Sequence, residues 1–295
     1  MYNGWLVYNS SLQTEKFMDY ARWFQKATKQ LGMTMDLIPN CELLVTIMNG
    51  ESQLNVPRQS TWPDFIHFAD KDIHLAKQLE HEGIPLFNSS EAIARCDNKA
   101  LMHHSLAGHN IPMPKTIISP KVFEGCEQGK LDYLHTVVET LGFPLIVKEA
   151  FGSFGQQVYK VDTIGTLMEL VKTLSSKEFI FQEMITESTG RDIRLNVVGD
   201  QVITAMKRTS AVDFRANVTA GGSTTPYKPT LEEEELAIRT AKAIGADFAG
   251  VDLLLGQDGP LLCEINSNPH IRSIYECTGV DVAPAMVEHI KNRLT

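Results

Sequence analysis

The residues from Gly250 to Pro269, GVDLLLGQDGPLLCEINSNP, place two acids and an amide where they could share a ligand. An apolar run, a polar turn from Gly256 to Pro260 and a second apolar run predict an antiparallel hairpin. Pairing Leu255 with Leu261 across that turn sets Asp252 opposite Glu264. Side chains alternate along a strand, so Asn266 lies on the face of Glu264. Two carboxylates about 5 Å apart repel by roughly 3 kcal/mol at an effective dielectric of about 20. A shared proton would relieve this, and a hard divalent cation would relieve it better. Mg²⁺ takes a few carboxylate or amide oxygens and keeps positions for substrate phosphates. The alternative is a wet sheet edge with the register displaced by one.

Other polar residues sit at the ends of predicted strands. Lys148 closes the apolar run PLIV, and GSFG (Gly152, Ser153, Phe154, Gly155) follows three residues on. Glycines in a short turn let backbone N–H groups approach a phosphate, and a lysine at the strand end adds positive charge. A snorkelling lysine beside an ordinary glycine hairpin is the plainer account, and the GxxxxGK[ST] pattern is absent. Lys99 opens a predicted helix, where a surface lysine is equally ordinary. Gln182, Glu183, Met184 and Ile185 end a buried-looking strand, a place where backbone can meet an adenine edge while an acid meets a ribose. Arg215 and Asn217 in DFRAN share a face if extended, and arginine suits carboxylate or phosphate through bidentate geometry. A plain Asp213–Arg215 ion pair competes with that reading.

The elements that must position these residues alternate. Trp5–Tyr8, Met35–Ile38, Phe65–Phe68 and Ile84–Phe87 read as strands; Thr14–Leu31 and His74–Glu82 read as helices closed by Gly32 and Gly83. This pattern favours a layered α/β sheet, without a GxGxxG fingerprint after Trp5. Further on, Asn98–Ala107, Leu131–Leu141 and Thr166–Leu174 are helical, and Lys115–Ser119, the run before Lys148 and Phe179–Ile185 are extended. Arg194–Val198 and Gln201–Met206 form a hairpin turning at Gly199 and Asp200. Thr230 and Glu233 make a capping box for a helix from Leu231 to Ile244, and a helix from Val282 to Arg293 follows the hairpin described first.

With 295 residues the chain is long enough for two or three subdomains, and a hydrophobic fraction of 43% with 21% charged residues describes an ordinary globular protein. No run reaches the length of a membrane span and MYNGWLVYN lacks a signal-peptide pattern, so a cytoplasmic protein is expected. Five scattered cysteines without CxxC read as reduced thiols. A net charge of −9 argues against general nucleic-acid or anionic-membrane binding.

Taken in order, NSSEAIARCDNKALMHHSLAGHNIPMPKT (88–116), FPLIVKEAFGSFGQQV (143–158), FQEMI (181–185), GRDIRLNVVGD (190–200), DFRAN with Gly221–Gly222, and GVDLLL through NSNP resemble the ATP-grasp superfamily, specifically the RimK-like carboxylate–amine ligases of the ribosomal protein S6 modification type. The match is strong over roughly the last two thirds of the chain. It implies an α/β ATP-grasp fold: an N-terminal α/β (pre-ATP-grasp) domain over 1–96, a small central lid domain over 97–182, and a C-terminal α+β domain over 183–295. It also implies ATP with two Mg²⁺ as cofactors, and an amide bond formed through an acyl phosphate with release of ADP and phosphate. By residue, Lys99 and Lys148 would meet ATP phosphates under a lid containing Gly152, Ser153 and Gly155. Gln182, Glu183, Met184 and Ile185 would line the adenosine, with Asp192 and Arg194 on the ribose side. Asp252, Glu264 and Asn266 would hold metal, and Arg215 and Asn217 would face the transferring phosphoryl group. NSNPHIRSIYECTGVD departs from the family continuation after the metal motif and introduces His270 and Arg272; with Lys207 and Arg208 these would receive an acidic substrate. Expected partners are an amino acid and an amine acceptor on a metabolite, peptide or protein tail, in a homo-oligomer. A non-catalytic nucleotide-binding regulator or scaffold is the competing possibility.

Overall fold

Trp5, Leu6 and Val7 are wholly buried in succession, a pattern that requires cover on both faces of a strand and so a sheet between helical layers. The computed structural model describes residues 1–12, 14–56, 61–126, 129–152, 155–216 and 221–295. Ser153 and Asn217 lie outside these residues. The chain opens with β1 (Asn3–Tyr8), α1 (Glu15–Gln30), β2 (Thr34–Pro39), a hairpin of β3 (Leu44–Met48) and β4 (Glu51–Asn55), β5 (Phe65–Ala69), α2 (Ile73–His81) and β6 (Leu86–Phe87). Strands β1, β2, β5 and β6 form a parallel sheet in the order β2-β1-β5-β6. Leu6 and Phe65 pack on the α1 side, whereas Trp5, Val7, Ile66 and Phe68 pack on the α2 side.

Next come α3 (Ser90–Asp97), α4 (Lys99–Leu106), β7 (Thr116–Ile118), α5 (Tyr133–Leu141), β8 (Leu145–Glu149), β9 (Val158–Val161), α6 (Ile164–Leu174) and β10 (Phe179–Glu183). The antiparallel sheet β7-β10-β8-β9 has its own core with α5 and α6, built on Leu145, Val147, Phe179 and Phe181. Helices α3 and α4 belong elsewhere: Ala92, Cys96, Met102 and Leu106 join the core of the last sheet.

That last unit contains β11 (Arg191–Val198), β12 (Gln201–Thr209), β13 (Ser223–Tyr227), α7 (Leu231–Ile244), β14 (Phe248–Gly256), β15 (Gly259–Asn266), α8 (Ile271–Thr278) and α9 (Ala283–Leu294). Its sheet runs β13-β12-β11-β14-β15. The capping box expected at α7 is present: Thr230 Oγ1 accepts from Glu233 N, and Glu233 accepts from Thr230 N at 2.7 Å. Ile271, Ile274, Met286 and Ile290 return to the core of the first sheet, so the end of the chain ties the first and last units together.

Not foreseen from the sequence are β3–β4, α3, β13 and α8. The β3–β4 turn has a signature that could have found it: Asn49 and Gly50 have φ of +54° and +84°, values at which an Asn-Gly pair is favoured between antiparallel strands. The register at β14–β15 also differs from the simple count. Leu255 pairs with Pro260, not with Leu261. An unbroken ladder from there would set Asp252 against Cys263, but a bulge between Asp252 and Leu253 makes Cys263 the extra residue and returns Glu264 to face Asp252.

Asn88 fastens this hairpin from outside. Wholly buried, it donates through Nδ2 to Phe248 O and Ser267 O, each at 2.8 Å, and its Oδ1 accepts from Asp247 N at 2.6 Å and Phe248 N at 3.2 Å. Both strands of the β14–β15 hairpin are thereby held, at its open end, to the segment after β6. Replacing Asn88 with Ala would leave several buried backbone groups without partners, and we expect a loss of about 3 kcal/mol in unfolding free energy. Urea denaturation checks this; a loss under about 1 kcal/mol would show that the amide holds little.

Candidate active site

A cavity of about 850 Å³ lies where the three main sheets meet. Burial of charge is its dominant feature. Lys99, at the start of α4, is 7% exposed and Lys148, on β8, is 8% exposed. Asn98 starts α4 by accepting from Leu101 N at 3.0 Å, and Lys99 N donates to Ala150 O at 2.9 Å, so the helix start is bound to the strand carrying Lys148. Lys99 Nζ donates to Gly152 O at 3.3 Å and stands 4.0 Å from Glu264 Oε1. Lys148 Nζ contacts Cys263 Sγ at 3.6 Å. Lys99 thus has a single, long ion pair, and Lys148 has none among the described residues. An ammonium taken out of water without a counter-charge costs several kcal/mol, so this pair calls for an anion. His103 lies close behind them; burial, reinforced by Lys148 and Lys99, lowers its pKa to about 3 and keeps the ring neutral.

Opposite the lysines stand the acids. Asp252 is buried and accepts from Arg194 Nε and Nη2, both at 2.6 Å, and from Arg208 Nη2 at 2.9 Å. Burial pushes its carboxyl up, but the two guanidinium groups outweigh that and hold it below the ordinary carboxylate range. Arg208 also grips Asp192 through Nε and Nη2 at 2.6 and 2.7 Å. The geometry follows from a second bulge. Val198 faces Gln201 and Val197 faces Val202, but Asn196 faces Thr204, so Asp192 meets Arg208 where an unbroken ladder would present Lys207. Lys207 lies opposite Ile193 and does not line the cavity.

Glu264 and Asn266 line the cavity beside Asp252. Asp252, Glu264 and Asn266 are hard oxygen donors and fit a divalent cation by chemistry. One further observation agrees: the Glu264 side chain is 28% exposed, and its one ion pair among the described residues is the 4.0 Å contact with Lys99. Asp252 could join them by exchanging a contact to Arg194 or Arg208.

The remaining wall is mixed. Gln182 donates to Thr116 Oγ1 at 2.9 Å, Glu183 accepts from Lys115 N at 2.7 Å, and Met184 and Ile185 follow; all four line the cavity. Ile146, Met206 and Leu254 add apolar surface for a flat ring. Arg215 pairs with Asp213 at 2.7 Å, and its Nη1 also donates to Gly155 O at 2.5 Å, joining the glycine loop to the DFR segment. Gly190 lets that segment approach: its φ is +66°, and a Cβ there would lie 2.5 Å from Ser210 O. At the far end His270 and Arg272 reach the cavity, but Arg272 already donates to Asp19 Oδ2 at 2.8 Å and Glu276 Oε1 at 3.4 Å. Residue-type reasoning did not single out His103, Cys263, Asn9 or Asp70. Asn9 and Asp70 each follow directly on an apolar strand of a βα unit, and that position was the available signal.

The RimK-like ATP-grasp domain model matches residues 96–290. The chain is 36% identical over 219 residues to a probable alpha-L-glutamate ligase of Xanthomonas euvesicatoria pv. vesicatoria (strain 85-10), covering 73% of this chain and 71% of that one. It is 34% identical over 223 residues to another from Parasynechococcus marenigrum (strain WH8102), covering 75% of this chain but only 46% of that protein's length. In fold it resembles the RimK-domain ATP-grasp protein of Sphaerobacter thermophilus DSM 20745, with TM-score 0.72, 16% identity and coverage of 97% and 98%. It also resembles the ATP-grasp ligase PsnB, solved with a precursor variant, Mg and ADP, with TM-score 0.70, 17% identity and coverage of 99% and 98%. With the family model spanning more than half of its length, the chain belongs to the RimK-like ATP-grasp family.

Proposed function

We propose that this protein is an ATP- and Mg²⁺-dependent ligase that joins a substrate carboxylate to an amine through an acyl phosphate. The observation that carries this reading is the pair of buried lysines, Lys99 and Lys148, lining one cavity together with Asp252, Glu264 and Asn266. A triphosphate supplies the anion the lysines lack. In the first step the substrate carboxylate oxygen takes the γ-phosphoryl group and ADP leaves; in the second the amine nitrogen bonds to the carbonyl carbon, phosphate leaves and a proton is lost. Phosphoryl transfer asks for alignment and charge neutralisation rather than a protein nucleophile, and the site contains the groups for both. Lys99 and Lys148 hold phosphate oxygens, and Arg215, already in contact with Gly155, neutralises charge on the transferring group. Asp252, Glu264 and Asn266 would hold Mg²⁺, whose contribution is to offset the phosphate charge. Gln182 to Ile185 enclose the base, and Asp192 with Arg194 borders the sugar.

The substrates are amino-acid-like on this reading, with glutamate the first candidate because the relatives above are named for it. The positive charge of Arg272 at the outer end suits a substrate carboxylate, although Asp19 and Glu276 compete for it. ADP release with a panel of amino acids and amine acceptors tests the proposal. We expect substrate-dependent ADP formation that Glu264→Ala lowers by about a hundredfold or more. Tight nucleotide binding with no turnover across the panel would point instead to a regulator. Lys148→Met keeps the length of the side chain and removes its charge, and should raise the KM for ATP by about tenfold or more, the loss of one charge-assisted contact. An unchanged KM would remove Lys148 from phosphate binding.

A further inference from the structure

In the first sheet the chain leaves β1 through α1 for β2 on one side, and leaves β5 through α2 for β6 on the other. Strand order reverses between β1 and β5, and loops that part at such a point open a ligand crevice beyond the carboxyl ends of the strands. Asn9 follows β1, Asp70 follows β5, and both line the cavity opposite its nucleotide wall.

Asp70 is 7% exposed, and among the described residues it has no ion-pair partner. The neighbouring Lys71 ammonium pairs with Asp97. Asn9 Nδ2 donates to the two Asp70 carboxylate oxygens at 3.1 and 3.3 Å, and Lys71 N donates to Oδ1 at 2.6 Å. Oδ2 therefore keeps acceptor capacity. Burial, which outweighs the hydrogen bonds from Asn9 and the backbone, holds the Asp70 carboxyl above its usual range, and Asp72 adds like charge. Asn268 donates Nδ2 to Asp70 O at 3.1 Å and leaves its own Oδ1 buried without a partner. The crevice thus contains two under-used acceptors that, among the described residues, no cationic side chain meets, since Lys71 and Arg272 are paired with Asp97 and Asp19; this is the opposite imbalance to that at Lys148. An ammonium group, with three donors and one positive charge, corrects it.

We propose that this crevice is the amine subsite, in which Asp70, braced by Asn9, and Asn268 receive the ammonium group of a free amino acid. The proposal rests on the ligase reading above and adds the residues that select the amine. Asp70→Asn removes the charge and keeps an acceptor for Lys71 N. The test is the rise in unfolding temperature of the full chain with Mg·ADP, on adding each of the twenty standard L-amino acids and the N-acetyl derivative of any that bind. At least one amino acid should raise it and its N-acetyl form should not. Asp70→Asn should need at least tenfold more amino acid for half the rise, with an unchanged response to Mg·ADP. Asn9→Ala should weaken the same response several-fold. A wild-type protein that answers to no amino acid, an equal response to an N-acetyl form, or an Asp70→Asn protein that matches the wild type would each overturn the proposal. A wild-type protein that does not respond to Mg·ADP would overturn the ligase reading and this subsite with it.

Discussion

Charge held out of water without its complement is the constraint on which this structure depends. Lys99 and Lys148 are nearly enclosed, yet the nearest carboxylate to Lys99 is 4.0 Å away and the contact of Lys148 is a thiol. A fold can bear such a cost only where the rest of it is firm. Here the firmness comes from three directions. The core of α5 and α6 stiffens the strand carrying Lys148, the Asn98 cap sets the start of α4, and the hydrogen bond from Lys99 N to Ala150 O couples the two. Across the cavity the imbalance is dealt with differently. Asp192 and Asp252 share Arg208, and Arg194 completes a buried network whose carboxylates and guanidinium groups satisfy one another. One wall is therefore electrostatically closed and the other is open.

The last two helices explain how these walls keep their distance. Helix α8 packs on β12 and β13 and α9 packs on α1, and their Ile and Met side chains share one core with Leu6 and Phe65 of the first sheet and Val198 and Phe248 of the last. Asn88 makes the corresponding polar link, from the end of β6 to both strands at the open end of the β14–β15 hairpin. The first and last sheets thus behave as one frame. The sheet carrying Lys148 keeps a separate core, and Arg215 reaches across to Gly155 between the two bodies.

Local features were legible in the sequence and register was not, for a physical reason. The capping box at Thr230 and Glu233 involves atoms three residues apart, so composition alone specifies it. The helix at Leu231–Ile244 and the strands at Phe65 and Phe179 follow equally from local periodicity. Pairing across a sheet is a sum over the whole ladder, and one bulge changes it. Counting from the turn after Val198 would bring Lys207 to Asp192, whereas the extra residue near Ile203 brings Arg208. Counting from Leu255–Leu261 reached the correct facing of Asp252 and Glu264 through a turn that is one residue tighter and a bulge that restores it. Asp70 was harder still. Its place after an apolar strand is shared by many aspartates, and what sets it apart is the strand order and the company of Asn9 and Asn268.

The extra residue at Cys263 also decides which kinds of sequence change this hairpin can absorb. Leu262 and Ile265 point into the core while Cys263, Glu264 and Asn266 point into the cavity, an in–out–out–in–out order that exists only because one strand is longer than its partner. Exchanging the thiol for another small side chain leaves that order intact. Removing the position would return the ladder to simple alternation, with Leu262 and Ile265 still inward and Glu264 and Asn266 still on the cavity side. Divergence along this ribbon is accordingly free to alter or omit this one position while Glu264 and Asn266 keep their facing.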